Sequence, residues 1–587
     1  MLPRHAVALV VTVGVLLAPA VGVLPATVAA SDAANQPVRI DSCTVIDEPG
    51  EYVLTSDIED STAGVCIDIR SSDVHFDGDR HTVSGNLSRE AINETITGPP
   101  PRTRVGVGVT VRSNERVENV TVHHVTVTNW NHGLLAENVT SANVSGVHAF
   151  ENGGGIVLDD ANDVTVHESN ASRNLILGVI VDARSGNRTA NNAIVGNELK
   201  DNGVFGAAMF TSSNATIADN TAFRNAFGIY AFGVQNSTIA ANSVWDNRYG
   251  VVLEGFRSNA TNVADANGTD ADASAADASA ADLGVQPEAV NATNARSNVL
   301  VNNVVRNSTA AALAFVAADD NVALGNDLSD TGPADGQYYP FRTNASAAVV
   351  AEDARNNTIV DARASDAADW IYAGFNGSST AVLNATTDAG PVSFSGSDVG
   401  VGRAVETPPF PRNNYSVGVD LNVTTFGENT SLQVAFQYDD ASLDAFAASE
   451  DDLDVSRYDA DAANWTVVAG DVEVNPNLNT VAASLDGVEG LVVLLAEKGD
   501  YENETAGGNE TANGTTTETG NETTNASTTE AGTENETGPE RAARTAGASL
   551  APAIGVASGP DAVVPNSGLA TEPAVAAPSP RPGSWNP

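Results

Sequence analysis

Lysine is nearly missing from this 587-residue chain: Lys200 and Lys498 are the only two, and arginine supplies the rest of its 28 basic residues. Against them stand 75 acids, for a formal charge of -47. So few cations cannot build the basic patch that neutralises nucleic-acid phosphates, so a nucleic-acid partner is excluded. Two cysteines exclude a zinc-finger or disulfide-dense scaffold. Two methionines and two cysteines also leave no cluster of sulfur ligands for a soft metal ion. With 42% hydrophobic residues the chain can still build a core, which excludes wholesale disorder. The acids are spread along the whole length, which describes a surface solvated in salt rather than an interaction tail.

Residues 1–30 carry Arg4, an apolar stretch from Ala6 to Val23, and a small-residue exit at Ala26-Thr27-Val28-Ala29-Ala30. This pattern predicts a secretory signal cleaved after Ala30. No later segment approaches the roughly 20 apolar residues of a membrane span, so no lipid-spanning segment is expected after cleavage. Export puts Cys43 and Cys66 in an oxidising space, where they are expected to form a disulfide.

The middle of the chain repeats. Gly133, Gly155, Gly178, Gly206, Gly228 and Gly250 recur at spacings of 22, 23, 28, 22 and 22, most of them opening a short apolar run. An asparagine precedes each: Asn131, Asn152, Asn174, Asn202, Asn225 and Asn247. Between these runs lies a second motif, as in Asn119-Val120-Thr121-Val122, Asp163-Val164-Thr165-Val166 and Asn214-Ala215-Thr216-Ile217. A period near 22 built of short alternating strands is one coil of a solenoid, and the missing leucine pattern excludes leucine-rich repeats. The expected fold is all-β: a right-handed parallel β-helix, with Val120, Val122, Ala215 and Ile217 inward and Asn and Gly supplying left-handed turns.

The opening coils carry Pro49-Gly50-Glu51-Tyr52, Cys66-Ile67-Asp68-Ile69, Val74-His75-Phe76-Asp77-Gly78 and His81-Thr82-Val83-Ser84-Gly85. In this order, and followed by Asn/Gly coils, they resemble the NosD-like right-handed parallel β-helix proteins of the carbohydrate-binding and sugar-hydrolase β-helix group, haloarchaeal surface versions included. The resemblance spans about residues 40 to 360. It implies the fold, a secreted or cell-surface location, and either sugar-related work or the maturation of a copper enzyme.

Domain boundaries follow composition. Residues 1–30 are the signal, and 31–375 the β-helix, interrupted by a solvated insertion at 257–296 and a proline-containing loop at 86–104. Residues 376–500 change to separated strands, the pattern of a small β-sandwich. Residues 501–540 form a Thr/Asn/Glu-rich stalk with glycosylation sequons at Asn503, Asn509, Asn513, Asn521, Asn525 and Asn535. Residues 541–587 are an Ala/Pro-rich tail without a span-length apolar stretch, which leaves the means of anchoring open.

Three constellations are candidates for chemistry. His123, His148 and His167 follow the same apparent motif on successive coils, which would stack imidazoles about 5 Å apart as a metal site; copper or calcium are the candidate ions, with His124 and His132 nearby. Asp159, Asp160 and Asp163, with Glu168 and Asp182 one coil on, could supply the paired carboxylates of glycoside cleavage. Tyr230, Phe232 and Tyr249 lie in an aromatic-rich segment that could form an outward platform for polysaccharide; Phe223 and Trp245 are read as fillers stacked inside or at a turn. Together these describe an exported surface protein that binds polysaccharide or envelope glycan, or serves structure and adhesion. The alternatives are a polysaccharide lyase, hydrolase or epimerase, and a NosD-type copper accessory protein.

Overall fold

The computed structural model describes residues 36–97, 106–256, 295–332 and 346–499, except 368, 369, 405, 428, 429, 469–471, 486 and 488. The signal segment, nearly all of the 257–296 insertion, the six sequons of the stalk and the tail lie outside these residues.

From Val38 to Glu352 most coils contribute three main strands, some with an added two-residue strand, and the strands pair in parallel with their counterparts one coil away. Val117–His123, Val139–Ser145 and Thr165–His167 belong to a first sheet, Thr126–Thr128, His148–Phe150 and Asn170–Ser172 to a second, and His132–Glu137, Gly154–Asp159 and Leu177–Asp182 to a third. The fold is therefore all-β, a parallel β-helix whose core is the inside of the coil. In the first sheet Val120, Val122, Ala215 and Ile217 point inward and are buried, while Thr121 and His123 between and beside them are half-buried. Strands of the third sheet are buried on both faces, which is why they read as continuous apolar runs.

Asparagine holds the coils in register. Asn152, Asn174, Asn202, Asn225 and Asn247 form one buried ladder, each Nδ2 donating to the next Oδ1 at 3.0–3.3 Å. A second ladder runs Asn197, Asn220, Asn242, Asn303 and Asn326, and a third Asn298, Asn321 and Asn357. The repeating glycines play a different part from the expected left-handed turn. At Gly155 an added Cβ would lie 2.5 Å from the Gly178 carbonyl and 2.8 Å from Asn174 Nδ2. The backbones approach too closely for any side chain. Left-handed turns are supplied, as expected, by asparagines such as Asn119, Asn191, Asn214 and Asn236 and by other glycines such as Gly146 and Gly196, and also by charged residues such as Glu151, Arg173, Asp201, Arg224 and Asp246.

Two segments read as loops contain regular structure. Within the 86–104 segment a nine-residue helix forms, Arg89–Thr97. Ser88 caps it by accepting from the Ala91 amide at 3.2 Å, and Ile92 buries its side chain. At the far end of the insertion Ala295–Arg296 is already a strand, paired with Ala318–Asp319. Cys43 and Cys66 are joined in a disulfide between the first two strands of the third sheet's stack.

A second compact unit comprises residues 358–362 and the described residues from Ala373 to Gly499. Its pairing is antiparallel. Ser379–Thr387, Gly390–Ser397, Ser431–Gln437, Thr480–Ser484 and Val472–Asn475 make one sheet in that spatial order. Val399–Arg403, Leu421–Thr425, Gly490–Glu497, Leu453–Asp459 and Asn464–Val467 make another. These are the strand partners that a β-sandwich requires, with Phe394, Phe436, Val423 and Val493 buried.

Candidate metal centre and the other predicted sites

The strand motif that orders the first sheet also orders its outward side chains. Val74–Asp77 pairs with Val117–His123 so that Asp77 lies opposite His123, and His75 opposite Thr121. His124 follows in a left-handed turn with φ 52°. Its ring rests against Gly146, where φ is 57° and an added Cβ would sit 2.8 Å from His124 Cδ2, so this glycine is needed twice over.

Asp77, His123 and His124 consequently offer three ligand atoms facing one point. His123 Nδ1 lies 2.9 Å from His124 Nδ1, and Asp77 Oδ1 lies 3.6 and 3.5 Å from those two nitrogens. Donors separated this way can all lie about 2.1 Å from a single divalent ion, the usual distance for imidazole and carboxylate ligands. The remaining nitrogen of His123, Nε2, is 2.8 Å from His75 Nε2. With the proton on His123 Nε2 and shared with His75, Nδ1 keeps its lone pair for the ion, the orienting role that an outer partner plays for a ligating histidine. Burial lowers the pKa of His123, with Asp77 opposing that effect and the neighbouring histidines adding to it, so the ring favours the neutral, ligating form. The donor set holds imidazole and carboxylate and no sulfur, which suits copper(II), zinc or nickel and not copper(I).

The expected stack of His123, His148 and His167 does not form. His123 and His167 share a column with Ser145 between them, two coils and so about 10 Å apart. His148 lies on the second sheet, in register with Thr126 and Asn170. The residue before it, Val147, turns the corner as Val125 does one coil earlier: the His148 amide donates to the Val125 carbonyl. His75 and Asp77 complete the cluster instead. Their signal was present in Val74-His75-Phe76-Asp77, the same alternation as Val120-Thr121-Val122-His123, but 46 residues away because the helix and loop intervene.

The acidic trio diverges as well. Asp159 is buried at the end of its strand, opposite Asp182 on the next coil, with Arg184 Nε 3.4 Å from the one and 3.1 Å from the other. Asp160 sits in a left-handed turn and accepts from the Ser185 hydroxyl at 2.6 Å and amide at 2.9 Å. Asp163 occupies another turn and accepts from Asn191 Nδ2 at 2.9 Å.

The aromatic expectation is reversed. Tyr230 and Tyr249 are 3% and 1% exposed. Tyr230 packs against Phe205, Phe210 and Phe227 at centroid distances of 5.0, 5.6 and 5.2 Å and donates to Glu254 Oε2 at 2.7 Å. Phe232 is half-buried against Phe210. Rings on successive coils cover one another, so this group is packing and not a platform. Phe223 and Trp245, expected inside or at a turn, are half-buried on the second sheet and stacked at 4.8 Å. Arg224 lies over Phe223 at 4.7 Å and Lys200 at 5.9 Å.

A parallel β-helix with an outward His/Asp cluster is thus the class that fold and site define. Residues 56–263 match the family model described as periplasmic copper-binding protein (NosD), so the chain carries a NosD-like parallel β-helix, and all four cluster residues lie in the matched segment. Among solved structures, the mannuronan C-5 epimerase AlgE4 A-module of Azotobacter vinelandii is 12% identical, with a TM-score of 0.39 over 59% of this chain and 87% of that one. The DFA-IIIase of Arthrobacter chlorophenolicus A6 in complex with GF2 is 14% identical, with a TM-score of 0.38 over 59% and 84%. The Dettilon tailspike protein (gp208) is 12% identical, with a TM-score of 0.34 over 78% and 86%. No curated protein matches the sequence.

Proposed function

We propose that this is an extracytoplasmic β-helix protein that binds copper(II) at Asp77, His123 and His124, with His75 holding His123 in its ligating tautomer. The observation that carries this reading is the convergence of those three ligand atoms within 3.6 Å of one another on adjacent coils. The family description, periplasmic copper-binding, favours copper among the metals that the donor set suits. The signal-like segment at 1–30 favours the same compartment. In this site Asp77 supplies charge and the two imidazoles supply softer donors; paired strands hold Asp77 and His123, and the turn packed on Gly146 holds His124.

Calorimetry and electron paramagnetic resonance with copper(II) test the reading. One ion per chain with nitrogen hyperfine structure is expected, and the His123→Ala, His124→Ala double variant should abolish it. Stoichiometric binding that survives the double variant would sink the assignment. His75→Gln should weaken binding about tenfold or more while leaving one site, as loss of an orienting partner does.

A second reading, binding of polysaccharide or envelope glycan, is favoured by a polar cleft beside the second sheet. It is compatible with the first because the two places use different residues.

A further inference from the structure

The helix Arg89–Thr97 and the row of left-handed turns enclose a cleft of about 400 Å³, within the range of small-molecule sites. Asn129, Glu151, Arg173 and Asp201 line it from successive coils, Arg89 from the helix, and Ile92 and Leu175 give it apolar surface. Its charges are unequally engaged. Asp201 is held by Arg224, whose Nε and Nη2 lie 2.5 and 2.8 Å from its two oxygens, and its pKa is lowered chiefly by that contact. Arg173 keeps Glu151 only at 3.6 Å, through Nε. Arg89 donates one long bond, 3.4 Å, to the Arg173 carbonyl and forms no ion pair among the described residues. Both arginines are exposed, so most of their N–H groups are open to an anion that enters the cleft.

We infer that this cleft binds a carboxylated sugar, a uronate unit of an acidic polysaccharide. This inference rests on the glycan reading above and is independent of the metal centre. A carboxylate matches the planar fork of Arg89 or Arg173. The ring's C–H face matches Leu175, which is half-buried whereas Ile92 is covered, and its hydroxyls can donate to Glu151 and Asp201 and accept from Asn129. Those same two acids disfavour free phosphate, which carries more negative charge and brings few donors to give them. Arg173 already lies 5.6 Å over the Phe150 ring, which limits the rotamers it must lose on binding.

The test is calorimetry of the full chain at fixed salt, in chelator to keep metal out, with digalacturonic acid, its methyl ester and inorganic phosphate. Saturable binding of the free acid is expected, at least about tenfold tighter than the ester, the loss that removing a charge-assisted bond brings. Arg89→Gln and Arg173→Gln should each weaken it by a similar factor, and Arg39→Gln should not. Arg89 lies on the helix, outside the coil-to-coil ladders, so its variant remains informative if Arg173→Gln misfolds. Equal binding of the ester leaves glycan binding standing and overturns the carboxylate assignment, whereas absence of binding by both sugars overturns the two together. Phosphate binding as tight as the acid, or full affinity in both arginine variants, also overturns the inference.

Discussion

His148, removed by its register from the metal cluster, has a different consequence at the scale of a single residue. Burial lowers its pKa below the ordinary imidazole value, and the charges of Lys200 and Arg173 push the same way. The folded protein therefore binds this proton less readily than the unfolded chain, whose histidine titrates near 6.5. Where the unfolded state holds more protons, stability rises with pH. His148 should thus cost no stability above about pH 7. As pH falls through 6.5 towards the depressed value it should become progressively destabilising. The difference in denaturation midpoint between His148→Asn and the parent, followed from about pH 7.5 to 5, should grow in favour of the variant as acid is added. A constant difference would mean that the imidazole is as easily protonated folded as unfolded.

At the scale of the element, the buried asparagine ladders carry more weight than any one outward side chain. Asn225 Nδ2 donates to the Leu199 carbonyl and to Asn247 Oδ1, while its own Oδ1 accepts from the Asn202 amide and Nδ2. Asn225→Ala removes these at once and strands neighbouring groups in the core, for a loss of about 3 kcal/mol by the cost of unsatisfied buried polar groups. Asn225→Asp should fare no better, since a carboxylate accepts from Asn202 but cannot donate to Leu199. Denaturant midpoints for the two variants check this, and a loss below about 1 kcal/mol would reduce the ladder to ornament. The coil period was legible in advance because six successive coils from Gly133 to Gly250 repeat an Asn and a Gly at spacings of 22 to 28. The sites were less legible because each depends on a single register. Val147-His148 resembles Val122-His123 by local pattern, yet a corner valine precedes one and a strand valine the other, and that shift moves a side chain to another sheet. The partnership of His75 and Asp77 with His123 crosses a 46-residue separation that local pattern does not span. Likewise, an apolar strand buried on both faces gives no alternation to tell Tyr230's covered face from an open one, whereas the alternating strands of the second sheet leave Phe223 and Trp245 half-exposed.

At the scale of the whole molecule the charge imbalance decides the response to salt. Salt acts in two opposing ways: it weakens ion pairs such as Arg224–Asp201 and Arg112–Glu137, and it screens repulsion among like charges. Exposed pairs contribute about 0–1 kcal/mol each. Even if every one of the 28 basic residues were paired, 47 of the 75 acids would have no cation to meet. Repulsion therefore outweighs attraction over most of the surface, and it reaches far at low salt, where the screening length is about 10 Å at 0.1 M and about 3 Å at 1 M. The melting temperature should accordingly rise steeply from about 0.1 to 1 M sodium chloride and then flatten as the screening length falls below the spacing of neighbouring carboxylates. Sucrose, which favours burial without screening charge, should raise it without that early steep phase. A melting temperature that is flat or falling across the first molar of salt would mean that the paired arginines, and not the unmatched acids, govern the electrostatics of the folded chain.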